Sequence, residues 1–120
     1  MGLLRWFTKN WANTLEPTHP DLTPLALPLG AEAAANLVKQ VVAQLPRWAI
    51  ATEKPGELQL TRQTRIIGFV DDVTVTIVLT ASGVLLHAAS KSRVGIGDLG
   101  QNRRNILELW AAIRARQGES

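Results

Sequence analysis

The sequence predicts an α+β domain: a four-stranded antiparallel sheet with helices packed on one face, in the order helix, helix, four strands, helix. Three observations carry this. Residues 31–45 place apolar side chains three and four apart, which is the period of a helix with one buried face. Val73, Val75, Ile77 and Leu79 alternate with Thr74, Thr76, Val78 and Thr80, which is the period of a half-buried strand. The turns "KPGE" and "ASG" between apolar runs are too short for the crossover that parallel strands need.

The elements follow in chain order. Leu4, Phe7, Trp11 and Leu15 share one side of a helix over residues 3–15, with Arg5, Trp6 and Lys9 off that stripe. "EPTHPDLTPLALPLG" holds four prolines, so it reads as extended chain. Ala34, Leu37, Val38, Val41 and Leu45 stripe the second helix, and Pro46 stops it. Trp48 and Ile50 mark a first short strand, and Leu58 and Leu60 a second. Residues 73–80 form the third and 84–90 the fourth. The last helix runs from Leu99 to about Gln117, with Asp98 as N-cap and Gln101 completing a capping box. Leu99, Ile106, Trp110 and Ile113 face its core side. The organisation expected is thus an N-terminal amphipathic helix at 1–16, a proline-rich linker at 17–30 and one α+β domain at 31–117.

The 120 residues suffice for one core and not two, and 46% are hydrophobic. With no cysteine, disulfides, thiolate chemistry and zinc–thiolate sites are excluded. The net charge of +3 is uneven. From Lys91 onward six basic residues face three acidic ones, whereas the first ninety residues carry seven of each. The basic C-terminal third suits either a solvated helix face or an anionic partner. No basic–aromatic stripe argues for nucleic acid. No segment is long enough to span a membrane, and "MGLLRWFTKN" has neither the apolar run of a signal peptide nor the serine or threonine of a myristoylation signal. A cytoplasmic chain, in solution or peripheral on a membrane, is expected.

"RVGIGDLGQNRR" spaces Gly95, Gly97 and Gly100 as in a dinucleotide-binding turn. That turn needs a following parallel strand and an acidic residue near its end. Only twenty residues follow Gly100, and they read as helix and tail. The glycines are read instead as a sharp strand-to-helix turn.

A hairpin looped at Thr80–Gly83 sets Leu79 opposite Val84, Ile77 opposite Leu86 and Val75 opposite Ala88. The same register sets Asp72 opposite Lys91 and Asp71 opposite Ser92. One end of the sheet therefore gathers Arg65, Asp71, Asp72, Lys91, Ser92, Arg93, Asp98, Asn102 and Arg103. Arg103 falls toward the core side of its helix, so Asp71 or Asp72 is its expected partner. The cluster reads either as an ion-pair and hydrogen-bond lock between helix and sheet or as a polar binding site. Adjacent aspartates on a strand face opposite ways, so they do not converge on a metal or a proton. His87 lies on the side away from the core, His19 carries no motif, and no nucleophile–base pair, metal site or cofactor is expected.

"TRIIGFVDDV" (64–73) with "SKSRVGIGDLGQNRRNI" (90–106) resembles the family catalogued as domain of unknown function 1499, found in bacteria, including cyanobacteria, and in plastids. Thr64, Arg65, Phe69, Asp71, Asp72, Ser90, Ser92, Arg93, Gly95, Asp98, Gly100 and Asn102 match its pattern, over about residues 20–117 with the first helix outside. Arginine is frequent in the family where Ala89 and Asn105 stand here, and a polar residue where Gly97 stands. The resemblance implies a fold and no established activity.

The function expected is a non-catalytic binding or accessory module, held on a membrane surface or membrane protein complex through the first helix, with Leu4, Trp6, Phe7, Trp11 and Leu15 as contacts. If the chain is cyanobacterial, as the resemblance allows, that surface is the thylakoid. Folding back of this helix onto its own domain, or docking in a partner's groove, competes with the membrane reading. The alternative function is a small-ligand or anion-binding protein, or an enzyme, that uses Arg65, Asp71, Asp72, Ser92, Arg93, Asp98, Asn102 and Arg103.

Overall fold

The computed structural model describes residues 11–15, 22–64, 69–93 and 100–118. The elements are β1 (Trp11–Asn13), β2 (Leu25–Leu27), α1 (Ala31–Gln44), β3 (Trp48–Lys54), β4 (Glu57–Gln63), β5 (Val70–Thr80), β6 (Gly83–Ser92) and α2 (Gln101–Gly118). The fold is α+β with an antiparallel sheet, as expected, and two of the three expected helices are found among the described residues. The sheet has six strands rather than four, because β1 and β2 both pair with the free edge of β6.

The β5–β6 hairpin keeps the expected register, with Leu79 opposite Val84, Val75 opposite Ala88, Asp72 opposite Lys91 and Asp71 opposite Ser92. Alternation does the rest. Leu58, Leu60, Val73, Val75, Val84, Leu86 and Ala88 all point to one face and are buried. Helix α1 lays Ala34, Val38, Val41 and Val42 on that face, and α2 lays Ile106, Leu109, Trp110 and Ile113 beside them. The opposite face carries half-exposed Thr74, Thr76, Leu85, His87 and Ala89. Helix α1 starts at Gly30, whose carbonyl accepts the Ala34 N–H at 2.9 Å, and stops before Pro46. Pro46 suits that end because it offers no N–H to continue the ladder.

The N-terminal expectation changes most. Trp11–Asn13 is a strand, with Trp11 opposite Lys91 and Ala12 opposite Ser90, so the helix read over 3–15 does not extend through Trp11. Its other contact residues, Leu4, Trp6 and Phe7, lie outside the described residues. Thr14 shows why the strand wins here. Its backbone N–H donates to the Ala88 carbonyl at 3.0 Å, and its hydroxyl accepts the Ala88 N–H at 3.0 Å. An edge strand that supplies such partners outcompetes a helix too short to be stable alone. Leu15 follows at 67% exposure.

The proline-rich stretch is more than a linker. Leu25 and Leu27 are buried around an exposed Ala26, and they pair with Leu86 and Val84. Before them Leu22 enters the core, and the Thr23 carbonyl accepts the indole N–H of Trp110 at 2.8 Å. That bond satisfies the polar tip of the largest fully buried side chain.

Candidate functional site

The last residues of β5 and β6 alternate between two environments, and the expected cluster is divided accordingly. Asp71, Ser90 and Ser92 face the helices, while Asp72, Lys91 and Arg93 face the open side. Adjacent Asp71 and Asp72 thus point apart, as strand geometry requires.

On the helix side the first turns of α2 complete a buried polar network. Ser90 donates to Asn102 Oδ1 at 2.6 Å, and Asn102 Nδ2 donates to Ser92 Oγ at 2.9 Å. Asn105 Nδ2 donates to Asp71 Oδ2 at 2.7 Å and to Ser90 Oγ at 3.1 Å. Asn105 Oδ1 accepts from Gln101 Nε2 at 2.6 Å. Asp71, Ser90, Asn102 and Asn105 are at most 2% exposed. Asn102 and Asn105 are three residues apart, so they lie one above the other on the face that α2 buries. Every buried side-chain nitrogen and oxygen among the described residues has a hydrogen-bond partner.

Beside Asp71 the network passes to a second group. Arg62 sits directly across from Asp71 on β4 and is 8% exposed. Its Nε and Nη2 donate to the two oxygens of Glu108 on α2, each at 3.4 Å. The same carboxylate accepts the indole N–H of Trp48. This fork ties β3 and β4 to α2 where Asn105 ties β5 and β6.

On the open face Arg93 grips Asp72 with two bonds, Nε to Oδ2 at 3.0 Å and Nη2 to Oδ1 at 2.9 Å. Hydrogen bonding first, and the carboxylate's charge second, hold the guanidinium above its ordinary pKa. Both side chains are about half exposed, at 56% and 46%, so solvent screens the pair.

Of the residues expected to form the site, Asp71, Ser92 and Asn102 meet in the buried network, and Asp72 pairs with Arg93 behind the sheet. Arg65 and Asp98 lie outside the described residues. Arg103 is half-buried, but the side chains that hold the two aspartates are Asn105 and Arg93 rather than Arg103. The sequence reading missed Asn105, Arg62, Glu108, Trp48 and Thr14. For Arg62 the signal was parity, since it continues the buried alternation of Leu58 and Leu60. The expected helix start at Leu99 and its capping Asp98 lie outside the described residues. Helix α2 opens at Gln101, the Gly100 carbonyl accepts the Arg104 N–H at 3.1 Å, and Gly100 adopts φ 81°. That angle favours glycine and accounts for one of the three fingerprint positions; Gly95 and Gly97 lie outside the described residues.

Among the described residues every strand pairing is antiparallel, and α2 is the last element. A dinucleotide turn has no parallel βαβ unit to belong to here. Titration calorimetry with NAD or a flavin is therefore expected to show no micromolar binding; binding at that level that Gly97→Val abolishes would overturn this. Among the described residues no three His, Cys, Asp or Glu side chains gather as metal ligands, and no helix is long and apolar enough to cross a membrane.

A search of curated proteins finds no match. The family model described as protein of unknown function (DUF1499) matches residues 7–113. The match begins well before residue 20, so β1 and β2 fall inside the family's span, in keeping with their places in the sheet. A chain matched over all but its two ends, with the family's Phe-x-Asp-Asp and Ser-x-Ser-Arg residues set at the close of one hairpin, belongs to the DUF1499 family.

Proposed function

We propose that this protein is a non-catalytic binding module that attaches to a membrane surface through its first ten residues. The observation that carries the reading is the place of β1. Trp11 joins the sheet opposite Lys91, and Leu4, Arg5, Trp6, Phe7 and Lys9 lie just before it in the sequence. Tryptophan, apolar residues and basic residues within so short a span suit the headgroup region of a bilayer. The buried polar network supports the non-catalytic half of the reading. Asp71, Ser90, Asn102 and Asn105 spend their hydrogen bonds on one another and hold α2 to the sheet.

Flotation of the full chain with vesicles tests this. Wild type is expected to float with vesicles containing phosphatidylglycerol, and Leu4→Asp/Phe7→Asp is expected to stay behind. Each substitution removes about 1.5–3 kcal/mol of apolar burial, roughly tenfold or more in partitioning. Equal flotation of the two proteins, or none by wild type, would overturn the reading.

A further inference from the structure

Helices α1 and α2 both lie on the face of the sheet that holds Val73, Val75 and Leu86, so among the described residues no element covers the other face. The register sets the side chains of that open face in rows. Gln59, Thr74 and Ala89 stand side by side, then Thr76 and His87, then Val78 and Leu85. None of these is Lys, Arg, Asp or Glu. The charges stand around them. Glu57 flanks Thr76 on β4 and pairs with Lys54 at 3.2 Å. Beyond the row of Ala89, Asp72 is paired with Arg93 at 2.9 Å and lies opposite Lys91. A centre depleted of charge within a charged rim is the pattern that protein interfaces show.

The polar groups at this centre already have partners. Thr74 Oγ1 donates to Gln59 Oε1 at 2.9 Å, and His87 Nδ1 shares a hydrogen bond with Thr14 Oγ1 at 3.2 Å. A group bonded within the chain is covered at less cost than one whose only partner is water. Val78 is 42% exposed, so apolar surface on this face remains to be buried.

We infer that the open face is a dimer contact, on which a second copy of the chain lays the same face about a two-fold axis near Thr76 and His87. Charge selects the copy over a different partner. In a two-fold contact the side chains nearest the axis meet their own equivalents, so a lysine or a carboxylate there would meet its like. The centre of this face has neither, and four of the rim charges are neutralised in pairs within the chain. Area sets the strength. Strands β3 to β6 at about 4.8 Å and rows from Asp72 to Val78 at about 6.6 Å give a patch of roughly 500 Å², so two copies bury about 1,000 Å², the size of a weak and reversible contact. The contact uses the sheet and not the first ten residues, so it stands apart from the membrane reading.

Sedimentation of the full chain at pH 8 between about 5 µM and about 500 µM, the range of weak association, is the test. Wild type is expected to pass from one chain to two as its concentration rises. Val78→Lys sets a charge inside the contact on both copies and is expected to weaken association at least about 100-fold, which leaves one chain throughout. Val78→Thr keeps the shape without the charge and is expected to dimerise within a few-fold of wild type. Ala111→Lys adds the same charge at an exposed position of α2, away from the sheet, and is expected to dimerise as wild type does. Melting curves serve as the folding control; if Val78→Lys melts early, Leu85→Lys, opposite it on the same face, takes its place. One chain at every wild-type concentration would overturn the inference and assign this face to another protein or to another segment of this chain. Association of the folded lysine variant equal to wild type would overturn it, and so would an equal loss in Ala111→Lys.

Discussion

Gly83→Ala is expected to destabilise the fold by about 3–5 kcal/mol, the combined scale of backbone strain and overpacking. Gly83 opens β6 with φ 154°, and a Cβ built there falls 2.1 Å from the Leu27 carbonyl oxygen and 2.9 Å from the Pro28 Cα. Both obstacles are backbone, so no side chain can swing away. The methyl group would have to push β2 off the edge of β6. Leu25 and Leu27, which that edge holds in the core, would move with it. In a domain of this size the loss corresponds to a fall in Tm of roughly 10–20 °C. Gly118→Ala is the matched control. A Cβ there meets nothing within 4 Å, and alanine is the better helix former. Calorimetry that finds the Gly83 variant melting within about 3 °C of wild type would show that β2 does not bear on the fold as described.

What the sequence made legible follows from where its signals are local. The β5–β6 register was readable because a loop at Thr80–Gly83 sets Val75, Ile77 and Leu79 opposite Ala88, Leu86 and Val84, so that the apolar positions of the two strands agree. Helix α1 was readable from a stripe of apolar residues that ends at a proline. The two missed strands have three residues each, and no periodicity stands out over so short a run. What makes them strands is the open edge of β6, a partner more than fifty residues away along the chain. At 25–27 the pattern Leu-Ala-Leu was an alternation hidden between prolines. At 11–15 the helical spacing of Leu4, Phe7, Trp11 and Leu15 was a true count that led to the wrong element, because Thr14 closes on Ala88 instead.

The polar cluster was legible as a place and not as an arrangement. Strand parity brought Asp71, Ser92 and Asn102 to one end of the sheet and separated Asp71 from Asp72. The identity of Asp71's partner depended on the rotation of α2, which its apolar residues fixed only to within a position or two. Arg103 and Asn105 straddle that uncertainty. The packing of Ile106, Leu109 and Trp110 turns Asn105 inward and leaves Arg103 at the margin. An amide fits a buried site beside one carboxylate at less desolvation cost than a guanidinium.

Asn105 is therefore the residue on which the helix-to-sheet lock depends, and its replacement supplies the sharpest test. Asn105→Leu removes the amide that donates to Asp71 at 2.7 Å and to Ser90 at 3.1 Å. Asp71 is 2% exposed, so water does not replace the lost donor without opening the structure. Arg62, directly opposite, already donates to Glu108. Leaving a buried charge without its partner costs about 3–5 kcal/mol, and the variant is expected to lose that much in denaturant unfolding. Asn105→Asp separates the polar role from simple packing, because it keeps the shape and sets a second carboxylate against Asp71. Two carboxylates in contact cannot both ionise, so the pair holds one proton with a pKa raised above the unfolded value of about 3.9. A group whose folded pKa is raised is penalised increasingly as pH climbs past its unfolded pKa, and the penalty vanishes below it. The deficit of Asn105→Asp relative to wild type is thus expected to be largest near pH 7 and to shrink toward pH 4. Equal deficits for Asn105→Asp at the two pH values would mean that Asp71 and residue 105 do not meet as acid and amide, and the lock would have to be sought elsewhere in the network.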